Sequence, residues 1–140
     1  MKRTCSSVFA LFICGLVFAT SDESDKGRPK VATLSQKDIV EKLDGKMTTA
    51  TTVEVTLEPG QAGVPHRHPG PVFGYVIEGE YEWAIDEQPA KTLKTGETFY
   101  EPTGCLHRVS KNPGTVKTRV LAVILHAHGI KRISTPEPKK

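Results

Sequence analysis

The sequence predicts an all-β fold, an antiparallel sandwich or barrel, with at most one short helix near its start. Runs of β-branched and alternating residues recur at intervals of roughly ten positions, and Gly or Pro interrupts nearly every gap between them. The length of 140 residues fits a single domain. No internal repeat, coiled-coil pattern or phosphate-cradling glycine loop points to another class.

The beginning of the chain has the pattern of an export signal. Two basic residues precede residues 8–19 (VFALFICGLVFA), which carry no charge and end on small residues before a cleavage site after Ala19. As a helix this stretch would rise only about 18 Å, too short for a membrane anchor, and the residues before Cys14 fit a lipoprotein signal poorly. We expect residues 1–19 to be a signal peptide, and the mature protein to be periplasmic or secreted without stable membrane insertion.

Cleavage would change the charge and the cysteine count. Loss of Lys2 and Arg3 lowers the basic residues from 19 to 17 against 16 acidic ones, so the net charge falls from +3 to +1. This charge argues against nucleic acid as a partner, because nucleic-acid-binding domains usually carry a clustered basic face. Cys5 and Cys14 leave as well, so Cys105 remains alone and no intramolecular disulfide is expected.

Composition divides the mature chain into a leader, one domain and a tail. Residues 20–33 are expected to form a flexible leader, residues 34–133 the domain and residues 134–140 a tail with Pro and Lys. Residues 35–38 (SQKD) resemble a helix N-cap, and Ile39, Val40 and Leu43 would form the apolar edge of a helix of one or two turns. The predicted strands are Thr49–Leu57, Val72–Ile77, Glu80–Asp86, Thr98–Glu101, Leu106–Ser110 and Lys117–Leu125.

Histidines carry the clearest chemical signal. In an extended segment His66 and His68 point to the same side and can converge on one ion. His107 is the natural candidate for a third imidazole, because a Pro-x-Gly turn would aim the strand that begins beside it. Three neutral imidazoles suit a divalent first-row metal with open coordination positions. The alternative is a His-x-His loop that is merely solvated, and the second pair, His126 and His128, ends a strand and is left as a solvent-facing end or a set of possible pocket residues.

Two spaced motifs resemble those of the cupin family. The first is Gly60, five residues, His66-Arg67-His68 and then Gly79; the second is Gly96, five residues, Pro102-x-Gly104, two residues and His107. They follow the family patterns G-x5-H-x-H-x3,4-E-x6-G and G-x5-P-x-G-x2-H-x3-N. The stretch from Val53 to Leu125 is similar to a small single-domain cupin of the second type.

This resemblance implies a β jelly-roll barrel with a metal ion inside its mouth. His66, His68 and His107 correspond to the family's imidazole ligands, and the implied cofactor is one divalent first-row transition metal: Fe, Mn, Ni, Cu or Zn. A small molecule is the implied ligand or substrate. Cupins also commonly pair through sheet edges, so the resemblance makes a homodimer an option that the sequence alone does not decide.

The chain departs from the family pattern at two positions. Val72 stands where the first motif has its glutamate, and Asn112 lies one residue later than the closing asparagine of the second. Loss of the only anionic ligand would leave the ion its full +2 charge, raise its Lewis acidity and open one more position. Glu101, just before the Pro102 turn, is the acid to test as a replacement, although we expect it to be solvated like Glu78, Glu80, Glu82 and Glu97.

Several other residues are possible pocket residues. The aromatic residues Phe73, Tyr75, Trp83, Phe99 and Tyr100 are expected to be mostly core, with the polar ends of Trp83 and Tyr100 available to a ligand. Cys105 is expected to be a small buried hydrophobe, with a pocket thiol or a thioether partner as the alternative. No catalytic residue can be named from the sequence.

Three functions agree with this pattern. The first is an exported three-His metal oxidoreductase, dioxygenase-like, that acts on a small molecule. The second is a non-redox isomerase or lyase in which the metal polarises a carbonyl. The third is a binding module for a sugar or another small molecule, since a jelly roll hosts many unrelated activities.

Overall fold

Two antiparallel five-stranded sheets face each other and form the barrel predicted from the sequence. The computed structural model describes residues 27–138. Its strands are β1 (Lys30–Leu43), β2 (Lys46–Leu57), β3 (His66–Arg67), β4 (Val72–Glu78), β5 (Glu80–Ile85), β6 (Lys91–Lys94), β7 (Thr98–Glu101), β8 (Leu106–Lys111), β9 (Thr118–Ala127) and β10 (Thr135–Pro136). Sheet 1 has the order β1-β2-β9-β4-β7, and sheet 2 has the order β10-β3-β8-β5-β6.

Alternating side chains of both sheets fill the space between them. Along β9 the even-numbered residues are buried and the odd-numbered ones are partly exposed, and β4 shows the same period of two. Burial of one face in each sheet holds the register, because a slip of one residue would turn every side chain to the other face. The core consists of Val53, Leu57, Val72, Val76, Tyr81, Trp83, Ile85, Phe99, Val120, Ala122 and Ile124.

The predicted short helix is wrong, since the segment from Lys30 to Leu43 is the edge strand β1. It pairs with β2 along its length, and the hydroxyl of Thr49 donates to Asp38 at 2.6 Å. The open edge of β2 offers a full row of backbone hydrogen-bond partners, which a two-turn helix could not equal. Val40 of the expected apolar edge is 90% exposed. Between residues 27 and 138 there is no helix.

Both ends of the domain extend further than the sequence indicated. Strand β1 begins at Lys30, inside the range expected for the flexible leader, and β10 lies inside the expected tail. Strand β10 pairs with β3 through Thr135↔Arg67 and Pro136↔His66. The predicted signal peptide, residues 1–19, lies outside the described residues. In the described part of the chain, no helix has the length and apolar character needed to cross a membrane.

Candidate metal centre

The three motif histidines converge on sheet 2. His66 on β3 is the direct antiparallel partner of His107 on β8, so the two side chains leave the sheet on the same face. The ring of His68 stands edge-on to that of His66, with 4.7 Å between the centroids. One ligand nitrogen from each of the three rings lies within 4.8 Å of the others, as the His-x-His spacing predicts.

The hydrogen bonds of His66 and His68 leave two lone pairs facing each other. Nδ1 of His66 lies 2.8 Å from the carbonyl oxygen of Val64, and Nδ1 of His68 lies 2.6 Å from that of Ile133. A carbonyl only accepts, so in the neutral rings both Nδ1 atoms carry the proton and both Nε2 atoms are bare. These Nε2 atoms are 3.1 Å apart. A cation between them removes the repulsion, and donors about 2.1 Å from one ion are separated by about 3.0–3.4 Å at ordinary coordination angles.

His107 contributes a third bare nitrogen from inside the barrel. It is buried, and its Nε2 lies 3.3 Å from the hydroxyl of Tyr81, which donates its own proton to Ser110 at 2.9 Å. Tyr81 therefore accepts from Nε2, and Nδ1 of His107 is left unprotonated and without a hydrogen-bond partner. Burial, with smaller contributions from the neighbouring His66 and His68, lowers the pKa of His107 to about 3. Burial likewise lowers the pKa of His68 to about 4.

Glu101 lies in the site, and the expectation that it is solvated is wrong. Its side chain is 1% exposed, because β7 directs it between the sheets. Oε1 accepts a hydrogen bond of 3.0 Å from Nε1 of Trp83 and lies 3.1 Å from Nδ1 of His107, while Oε2 has no hydrogen-bond partner and lies 3.7 Å from Nε2 of His68. Burial raises the pKa of the carboxyl to about 7, and the Trp83 hydrogen bond acts in the opposite direction.

These atoms fit a divalent metal ion. One nitrogen from each of the three imidazoles lies within 4.8 Å of the others, and Oε2 of Glu101 lies 3.7 Å from Nε2 of His68. Two of the histidines donate their other nitrogen to a backbone carbonyl, the usual arrangement around a ligating imidazole. Imidazole and carboxylate together suit a first-row transition metal. The donor set therefore agrees with the cofactor implied by the sequence motifs.

The remaining predicted pocket residues divide into two groups. Val72 is buried in β4 and Trp83 is buried in β5, where it bonds Glu101. Tyr100 is 51% exposed on the outer face of sheet 1, beside the exposed Phe73, so its assignment to the pocket is wrong. The reason is the strand period of two, which turns Tyr100 outward because its neighbour Glu101 points inward.

Cys105 packs partly buried against the core, and burial raises the pKa of its thiol to about 11. This agrees with the expected small hydrophobe.

The two histidines of the second pair have different surroundings. His126 is buried with Nε2 2.9 Å from the hydroxyl of Thr51, whereas His128 is exposed and contacts Asp38. Neither belongs to the three-histidine group.

Four residues that shape the site were not identified from the sequence. Tyr81 and Ser110 determine which nitrogen of His107 is free, and the carbonyls of Val64 and Ile133 orient His66 and His68. Alternation along the strand could have placed Tyr81 on the inner face with Trp83. No local pattern shows that a residue 65 positions away from His68 supplies its carbonyl.

A double-sheet barrel with three imidazoles close enough to hold one ion defines a β-barrel protein with a candidate metal site. This chain belongs to the cupin family. The family model for the cupin domain matches residues 53–124, just over half of the chain and a range that contains all three motif histidines.

One curated relative is the Germin-like protein subfamily 2 member 2 of Arabidopsis thaliana. It is 35% identical over 89 residues, covering 59% of this chain and 40% of the relative. The chain thus spans less than half the length of this plant protein.

Solved structures share the fold at low sequence identity. An uncharacterized protein with a double-stranded β-helix domain from Klebsiella pneumoniae has a TM-score of 0.63 at 20% identity, covering 81% of this chain and 88% of that one. An oxalate oxidase has a TM-score of 0.57 at 23% identity, with coverage of 76% and 55%. The DMSP lyase DddQ from Ruegeria pomeroyi has a TM-score of 0.57 at 16% identity, with coverage of 86% and 58%.

Proposed function

We propose that this protein is an exported, mononuclear metal-dependent oxidoreductase, dioxygenase-like, that acts on a small molecule inside the barrel. The observation that carries the proposal is the pair of bare Nε2 atoms of His66 and His68, 3.1 Å apart beside the buried His107. Such a pair is electrostatically unfavourable without a cation, and the fold builds it with two dedicated carbonyl partners.

His66, His68 and His107 would hold one divalent first-row metal ion. When bound, the ion supplies Lewis acidity and, for a redox-active metal, electrons for dioxygen chemistry. The chain's own part is to orient the donors and to exclude water. The carbonyls of Val64 and Ile133 orient the imidazoles of His66 and His68, and the ring of Tyr81 lies edge-on to that of His107.

The small molecule that suits this site presents two oxygen or sulfur donors. Three imidazoles leave several positions of a six-coordinate ion open, enough for two donors of one molecule. Oxalate oxidase, one of the proteins with this fold, is named for a substrate of that kind. The DMSP lyases have the same fold and supply the second candidate, a lyase without redox chemistry. Consumption of dioxygen during turnover separates the two.

Metal content tests the proposal directly. The untagged protein, purified without chelator and measured by inductively coupled plasma mass spectrometry, should contain about one first-row metal ion per chain. His107→Ala should lose most of it, because a buried donor disappears from the site. The matched control is His128→Ala, which removes an exposed histidine outside the group and should keep the metal. Wild-type protein without stoichiometric metal after loading would contradict the proposal.

Export is tested independently of metal binding. Expressed from its full sequence in a bacterial host, the protein should appear in the periplasm or medium with a new N-terminus at Thr20. A chain lacking residues 2–19 should stay in the cytoplasm. Full-length protein confined to the cytoplasm would show that the segment is not a signal peptide.

A further inference from the structure

We propose that Glu101 is a fourth protein ligand of the metal ion, and that it replaces from a neighbouring strand the glutamate missing at position 72. The assignment rests on the metal centre proposed above. It changes that centre from three neutral imidazoles to three imidazoles and one carboxylate, with the carboxylate in the second motif region and not in the first.

Strand pairing places Glu101 beside the vacant motif position. Val72 on β4 and Glu101 on β7 are direct antiparallel partners, and both side chains are buried between the sheets. Directly opposed residues have Cβ atoms about 4.5–5.5 Å apart and leave the sheet on the same face. The side chain of Glu101 therefore begins on the strand next to position 72 and points into the same interior of the barrel.

The two carboxylate oxygens of Glu101 have different surroundings. Oε1 accepts the hydrogen bond from Trp83, which anchors the group. Oε2 is buried, accepts no hydrogen bond and lies 3.7 Å from the bare Nε2 of His68. Ligand atoms of a six-coordinate ion lie about 3.0 Å apart when adjacent and about 4.2 Å when opposite, for bonds of about 2.1 Å. The separation of 3.7 Å is short enough for both atoms to reach one ion, at an angle wider than that between adjacent octahedral positions.

The hydrogen bonds of the protein leave one oxygen of this carboxyl group without a partner. The nearest candidate partner is Nδ1 of His107, 3.1 Å from Oε1, but that nitrogen and Oε2 both lack a hydrogen bond. The hydroxyl of Tyr81 already accepts the single proton of the neutral His107 ring. When the group is ionised, the buried Oε2 atom has neither a cation nor a hydrogen-bond donor, which is costly. A metal ion bound by Oε2 would remove this cost.

A carboxylate ligand has chemical consequences for the site. The charge of ion and ligands falls from +2 to +1, so the ion binds more tightly and is less Lewis-acidic than the three-histidine set predicts. A six-coordinate ion then retains two open positions. Those two positions match one bidentate small molecule, or one donor atom and dioxygen.

Titration with Co²⁺ tests the assignment, using affinity and the visible absorption spectrum as readouts. For Glu101→Gln, which keeps size and shape, we expect affinity to fall by more than about 100-fold, since loss of an outer-shell partner costs about 10–100-fold. The absorption bands should also change, because they report coordination number and ligand charge. The matched control is Glu87→Gln, at an exposed turn, with wild-type affinity and spectrum.

The outcomes separate this assignment from the metal centre itself. If Glu101→Gln keeps the wild-type Co²⁺ spectrum while His107→Ala loses binding, the metal centre stands and Glu101 is not a ligand, whatever the change in affinity. If wild-type protein binds no Co²⁺, both proposals fail. Thermal unfolding of each variant checks that the barrel has folded.

An exchange of the two side chains gives a second, independent test. Glu101→Val should lose Co²⁺ binding as Glu101→Gln does. The double variant Val72→Glu/Glu101→Val returns the carboxylate to the family position on the adjacent strand. Its Co²⁺ affinity should recover to within about tenfold of wild type. Such a recovery means that the effects of the two substitutions are not additive, as expected for residues in contact. A folded double variant that binds no better than Glu101→Val would overturn the replacement.

Discussion

At the scale of single residues, the Glu101 carboxyl determines a pH dependence of the metal-free protein. Burial raises its pKa to about 7, from 4.5 in an exposed carboxyl. Between these values the folded state binds more protons than the unfolded state, so the free energy of unfolding falls as pH rises. The stabilisation is complete below about pH 4.5 and is lost as pH rises through about 7.

Comparison of the wild-type protein with Glu101→Gln in the presence of chelator isolates this effect. We expect the variant's advantage in free energy of unfolding to grow from pH 4.5 to pH 7 and then level off, because glutamine remains neutral. Urea unfolding at several pH values measures it. His68 and His107 titrate in both proteins and largely cancel in the difference. Parallel stability curves would show that the carboxyl is not held protonated by burial.

At the scale of elements, the two-residue strand β3 depends on its neighbours. The guanidinium of Arg67, which lies between His66 and His68 in the chain, donates to the carbonyl of Gly104 at 2.8 Å and to the carboxylate of Glu137 at 2.8 and 3.1 Å. The backbone N–H of Gly104 in turn donates to the carbonyl of His68. These contacts connect the first motif to the turn of the second motif and to the residue that follows β10, and they hold the His-x-His segment in place.

Gly74 illustrates how closely strand β4 packs against the core. A Cβ at this position would lie 2.0 Å from the ring of Phe99, which occupies the space left by the missing side chain. We expect Gly74→Ala to lower the free energy of unfolding by about 1–3 kcal/mol through overpacking. Chemical denaturation measures the change, and Gly27→Ala, where a Cβ meets nothing within 4 Å, is the control. Equal stability of the two variants would contradict this packing.

At the scale of the whole molecule, the candidate metal centre connects the two sheets. In sheet 2, His66 lies on β3, His68 directly follows β3, and His107 lies on β8. Glu101 lies on β7 in sheet 1. Glu101 meets the three histidines only when the two sheets are packed face to face. An ion that binds this arrangement therefore favours the folded barrel over the unfolded chain.

Metal ions should accordingly raise the thermal stability. At a Co²⁺ concentration 100 times the dissociation constant, the stabilisation is about 2.7 kcal/mol, or on the order of 10 °C in Tm for a domain of this size. Differential scanning calorimetry with and without chelator measures the shift. The double variant His66→Ala/His68→Ala should show none. A similar shift in that variant would mean that Co²⁺ acts elsewhere on the protein.

Much of the fold could be predicted because its signals are local. All six strands expected from alternation and turn residues are present, and the Pro-x-Gly turn before β8 has Gly104 at a φ of 72°, which favours glycine. Four strands were not predicted. Strands β3 and β10 are too short to show a period of two, and β6 is largely exposed. Strand β1 forms because the edge of β2 offers backbone pairing, which the sequence of β1 alone does not indicate.

By itself the sequence determined an all-β chain with two His-bearing motifs in order, because side-chain alternation and motif spacing are properties of consecutive residues. Only the tertiary structure showed that Glu101 is buried beside the three histidines. Its burial and its position beside Val72 follow from the pairing of β4 with β7, strands that lie far apart in the chain. It also decided which imidazole nitrogens are bare, since carbonyl and hydroxyl partners distant in sequence take the other nitrogen of His68 and of His107.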